Sequence, residues 1–149
     1  MHPIHIISLE SIHYGGDRIG NDLWMRFTLE GHRTVNGHAT PVKPAPIELH
    51  PKFDKETAMA SHLPITLYQL PLGNPEGVFE SDVFECKIHV LIVEKDKFSD
   101  HGHRTSHVIT MDRLAIQPHP FELEVHVKSH GGDKGKTAVF QCRFLSQAV

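Results

Sequence analysis

The chain has 149 residues, 39% of them hydrophobic and 22% charged, enough for one core of ordinary size and too apolar overall for a disordered polypeptide. Its 15 Lys and Arg against 18 Asp and Glu give a formal net charge of −3 with no basic block, so no strong attraction to nucleic acid is expected. The longest apolar stretches, such as Val90 to Val93, fall far short of the roughly 20 residues that cross a bilayer as a helix, and no signal-peptide pattern follows Met1; the expectation is a single cytoplasmic domain spanning 1–149.

In chain order, period-two alternation of apolar and polar residues recurs along most of the length. Ile4, Ile6 and Ser8 open a first strand that runs to about Ile12. After a Gly-rich loop, Gly15 to Gly20, the next strand sets Leu23, Met25, Phe27 and Leu29 on one face against Trp24, Arg26 and Thr28 on the other, and Glu30-Gly31 is expected to end it. Prolines every two to five residues from Pro41 to Pro51 exclude an interior helix and leave room for a short edge strand at Ile47 to Leu49. Phe53 to His62 (FDKETAMASH) has the best local helical composition and is the one helix expected. Strands follow at Ile65 to Leu70, Val83 to Val93, Ser106 to Met111, Phe121 to Lys128 and Thr137 to Leu145. Turn-forming residues separate them, and the Gly131 to Gly135 run marks the last two strands as a hairpin. Seven to eight strands with at most one short helix predict an all-β fold, an antiparallel β-sandwich, with an up-and-down or jelly-roll barrel as the alternative.

Two loops concentrate carboxylates. Asp17 and Asp22 lie between the first two strands, and Glu94, Asp96 and Asp100 follow the long apolar strand. A calcium ion needs six to eight oxygens at once, so it favours several carboxylates on flexible loops with glycine at the bends. Both loops have that composition, with the Asn21 amide and backbone carbonyls as supplements. Glu94 and Asp96 stand two apart in an extended chain and so point the same way.

This arrangement resembles the C-two-type calcium- and lipid-binding β-sandwich domains. The matching pieces are Asp17 and Asp22 in the early loop and IHVLIVEKDKFSDHG from Ile88 to Gly102. Glu94 stands where that family usually carries an aspartate, and no lysine-rich strand for acidic lipid is visible. The resemblance implies a C-two-like adaptor without catalysis, docking on a membrane surface or a protein partner through loops ordered by calcium, with Asp96 as the central ligand.

Two other readings compete. His101, His103 and His107 form an H-x-H-x3-H pattern that could hold zinc or another transition metal in a small metalloenzyme. Alternatively the chain is an ion-free structural subunit, its edge strands or the Pro41 to Pro51 arm docking on a sister chain as a homo-oligomer. The remaining features point to structure. Cys86 and Cys142 share strand parity with apolar neighbours and are expected as buried thiols, with a cross-sheet disulfide as the alternative. Gly131 to Lys136 lacks phosphate-loop spacing, and Ser8, Ser11 and Ser129 sit in no nucleophile motif. The 14 histidines are scattered without a run and would turn the net charge positive if all were protonated.

Overall fold

The computed structural model describes residues 4–35, 37–71, 83–94, 104–112, 118–128 and 135–148. Its strands are β1 (Ile4–Gly16), β2 (Leu23–Val35), β3 (His38–Val42), β4 (Ile47–Leu49), β5 (Ile65–Pro71), β6 (Val83–Glu94), β7 (Arg104–Asp112), β8 (His119–Lys128) and β9 (Thr137–Ala148). They form two antiparallel sheets, one ordered β5-β1-β9-β8 and the other β3-β2-β6-β7, with β4 also paired to β2. The expected antiparallel β-sandwich is therefore present, and the short edge strand among the prolines is β4. The expected terminal hairpin is present as well, since β8 pairs β9 from His119↔Ser146 to Lys128↔Thr137. No helix long and apolar enough to cross a membrane occurs among the described residues.

Alternation builds the core. Phe121, Leu123, Val125 and Val127 of β8 point inward while their neighbours face out, and β2 does the same with Leu23, Met25, Phe27 and Leu29. One hydrophobic cluster drawn from both sheets results. Across the sandwich, the Phe27 ring meets Phe144 edge-on with centroids 6.0 Å apart, while within one sheet Phe121 of β8 stacks on its β9 partner Phe144 at 4.9 Å. The Tyr68 hydroxyl of β5 donates to the Phe27 carbonyl of β2 at 2.9 Å, close to where β4 gives way to β3 along the edge of β2. Burial pushes the Tyr68 phenol up to about 12. Cys86 and Cys142 are free and buried in opposite sheets, and burial pushes both thiols up to about 12.

Three expectations need correction. In β1 the inward residues are His5, Ile7 and Leu9, then Ile12 and Tyr14, whereas Ile4 is exposed. A register shift between Leu9 and Ser11 changes the phase from odd to even, as a β-bulge does. Apolar residues on both parities of this segment conceal that change in the sequence. The second correction concerns β2, which continues through Glu30-Gly31 to Val35 and pairs with β3.

The third concerns Phe53 to His62, where there is a tight turn and no helix. The Asp54 carboxylate accepts the amides of Glu56 and Thr57 at 2.8 and 2.9 Å, a local bond that competes with helix propagation. Ala58 and His62 then adopt left-handed φ values of 58° and 62°. The segment instead pairs with the end of β1: Tyr14 donates to the Ala58 carbonyl at 2.8 Å and Ala60 donates to that of Ile12 at 2.9 Å. It extends the β1 edge where β5 stops.

Gly31 is the glycine on which β2 depends most directly. A β-carbon there would run into the Glu85 backbone carbonyl and approach the Cys86 β-carbon to 2.8 Å. Gly31→Ala is therefore expected to lose about 1–3 kcal/mol in denaturant unfolding, the usual cost of overpacking. Wild-type stability in that variant would contradict the close approach.

Candidate functional site

Four strand ends and one turn converge at one end of the sandwich. Pairing of Leu23 with Glu94 puts the start of β2 beside the end of β6, and pairing of Gly16 with Ala138 puts the end of β1 beside the start of β9. The 50–62 segment closes over them through its bonds to Ile12 and Tyr14.

Tyr14 organises this end. Its ring is buried, edge-on to Phe53 at 5.3 Å and tilted against Phe140 at 4.5 Å. Its hydroxyl accepts the amides of Ile19 and Gly20 at 2.8 and 3.2 Å and donates to the Gly20 carbonyl at 2.9 Å. One phenol thus satisfies three backbone groups of the β1–β2 loop. Burial raises its pKa, and the two amides and Arg18 partly oppose that rise. The Arg18 guanidinium lies 4.4 Å over the same ring, a cation–π contact. Gly20 has φ of 146°, and a side chain there would collide with the Glu94 carboxylate, so glycine lets the loop close onto β6.

The candidate calcium ligands fare differently from one another. Asp17 accepts the Thr137 amide at 3.0 Å and returns its own amide to the Thr137 carbonyl at 2.9 Å, so its carboxylate caps β9. Asp22 is exposed at the start of β2, and Glu94 is half-buried beside Gly20. Asp96 and Asp100 lie outside the described residues, as do His101 and His103, while His107 is on β7. Among the described residues, no three His, Cys, Asp or Glu side chains are grouped to hold a metal ion.

A cleft of about 640 Å³ opens beside this cluster, lined by Arg18, Gly20, Asn21, Lys52, Phe53 and Lys55. Its three cations make no ion pair among the described residues. The neighbouring carboxylates of Asp17 and Asp54 are occupied by backbone amides, and the two amide bonds, Thr57 first, hold Asp54 below its ordinary pKa. Sequence reasoning missed this cleft. Lys52 and Lys55 flank and enter the segment read as a helix, and the usable signal was the tyrosine directly ahead of the Gly15 to Gly20 loop.

A second unexpected pair lies in the interior towards the opposite end. His5 on β1 and Ser146 on β9 are 2% and 1% exposed, diagonal neighbours in the ladder, with His5 Nε2 and Ser146 Oγ hydrogen-bonded at 2.5 Å. His5 Nδ1 is buried without a hydrogen-bond partner. The pair is enclosed by the sandwich, so it offers a substrate no direct access. On the outer face, Trp24 carries the Arg26 guanidinium 5.4 Å above its ring, and Arg26 pairs with Glu48 at 2.9 Å. Trp24 shares its strand with Met25 and Phe27 and would on that ground be expected partly in the core; it is half-buried on the outer face of β2, opposite in parity to those two.

No family model, curated protein or solved structure matches this chain. The resemblance to C-two-type domains accordingly rests on the two loop motifs alone.

Burial lowers the His5 pKa below its ordinary 6.5, so the folded chain binds that proton more weakly than the unfolded chain. Stability from this site is complete above about pH 6.5 and declines as pH falls from there through the lower folded value. Urea titrations between pH 7.5 and 5 are expected to show that decline, and His5→Gln to remove part of it. An identical slope in both proteins would refute the assignment.

Proposed function

We propose that this chain is a non-catalytic binding module whose loop end takes an acidic segment of a protein partner. The observation that carries the reading is the uneven use of charge at the cleft: Arg18, Lys52 and Lys55 line it without ion pairs among the described residues, while Asp17 and Asp54 are taken up by backbone amides. Cationic clefts raise the local concentration of anionic partners and speed encounter.

The choice of a peptide follows from which donors remain available. A phosphate site typically presents several backbone amides to one anion. Here the Ile19 and Gly20 amides are held by Tyr14, and those of Glu56 and Thr57 by Asp54. What remains includes the Asn21 side-chain amide and side-chain cations on two separate segments, flanking Phe53. That spacing suits several carboxylates along an extended chain, with Phe53 available to an apolar side chain between them.

Calcium at the adjoining carboxylates is the second reading, favoured by the Leu23↔Glu94 pairing that brings Glu94 to the loop of Asp22. It retains Asp17, Asp22, Glu94, Asp96 and Asp100 as ligands and the same docking role.

Fluorescence anisotropy with a labelled Glu-rich peptide tests the first reading. Saturable binding that weakens with salt is expected, and the Arg18→Gln/Lys55→Glu double variant should bind roughly tenfold more weakly, about 1.4 kcal/mol. Equal affinity for a Lys-rich peptide, or no effect of the double variant, would contradict the cationic cleft. Melting curves in calcium and in EDTA decide the second reading, since a ligand of the native state raises stability by mass action; coincident curves would remove calcium.

A further inference from the structure

We infer that a second site, on the open side of the sandwich, takes a small aliphatic molecule with an anionic head. A cavity of about 340 Å³ lies between β4, β5 and the 50–62 segment, a size at the lower end of the range for small-ligand sites. Its floor is aliphatic: Ile12 from β1, Leu49 from β4, Ile65 from β5 and Leu63 just before it. Ile12 belongs to the core cluster, and Leu49, Leu63 and Ile65 pack against it.

The rim has the opposite character. His50, Lys52, Ser61 and His62 line it, and no carboxylate does so among the described residues. Lys52 supplies a fixed positive charge and the imidazoles supply N–H donors. Two features hold this rim in place. The Ser61 amide and hydroxyl both donate to the Lys52 carbonyl, at 2.9 and 3.3 Å. His62 occupies a left-handed backbone conformation, φ 62°, which costs a non-glycine residue free energy and is often retained where a side chain must be placed for function.

An aliphatic floor without aromatic rings suits a flexible alkyl chain better than a flat ring system. A cationic, donor-rich rim without acids selects a carboxylate head over a neutral one. The geometry therefore points to a medium-chain carboxylate, with its chain on Leu49, Leu63 and Ile65 and its head at Lys52 and His62. Lys52 borders both this cavity and the peptide cleft, whereas His62, Leu63 and Ile65 line this cavity and not the cleft.

Calorimetric titration of the full chain with decanoate, decanol and acetate, each below any micellar range, tests the proposal. Decanoate is expected to bind saturably at one per chain, decanol at least tenfold more weakly and acetate undetectably. The decisive variant is His62→Gly, which relieves the left-handed conformation. It should melt no lower than the parent yet bind decanoate at least fivefold more weakly. Equal binding of decanol and decanoate, measurable binding of acetate, non-saturable uptake, or unchanged affinity in a folded His62→Gly would each overturn it.

Discussion

The hydroxyl of Tyr14 is the constraint on which the loop end of this molecule depends. A buried phenol needs hydrogen-bond partners, and here it finds them in the backbone of the loop that follows its own strand. Those bonds bring Ile19 into the core and Gly20 against Glu94, and they leave Arg18 lying over the Tyr14 ring. The same ring packs on Phe53, and the Tyr14 amide holds the Ala58 carbonyl. A single residue therefore joins the β1–β2 loop to the 50–62 segment, and both walls of the cleft are set by it before any ligand arrives. Such preorganisation lowers the ordering cost of binding.

Charge at this end is distributed in a way that composition conceals. The β1–β2 loop reads as acidic, yet Asp17 acts as a backbone cap and Asp54 does the same across the cleft. Amide hydrogens hold these carboxylates in their ionised form and use their acceptor oxygens locally, as the lowered Asp54 pKa reflects. Arg18, Lys52 and Lys55 line the cleft without an ion pair among the described residues, and the Glu94 carboxylate lies against Gly20 of the same lining. The aliphatic cavity on the other side of the 50–62 segment shares Lys52 with this cleft, which makes that segment the hinge of both proposals.

The strands were legible wherever one parity was apolar and the other polar. Leu23 to Leu29 and Phe121 to Lys128 illustrate this, and the prolines from Pro41 to Pro51 located the short β4. Legibility failed where a long-range contact overrode a local preference. Gly31 reads as a strand end, yet it is a point of close backbone approach to β6. FDKETAMASH has helical composition, but its backbone finds better partners in Asp54 and in the edge of β1. In β1, apolar residues on both faces concealed the bulge that turns His5 inward. The site was harder still. Asp17 is visible as an acidic loop residue, but nothing near it in sequence indicates a partner 120 positions away at Thr137. The His5 and Ser146 pair spans 141 positions, beyond the reach of any local motif.

Amide hydrogen exchange at Ile19 and Gly20 in the free protein, resolved by NMR, tests the central claim that Tyr14 builds this end of the molecule in advance. If its hydroxyl holds those two amides at 2.8 and 3.2 Å, both should exchange at least about a hundredfold more slowly than in an unfolded chain, because they open only with the surrounding structure. Tyr14→Phe should release them without exposing the β8–β9 ladder. Exchange of both amides at the unfolded rate in the parent protein would contradict the account.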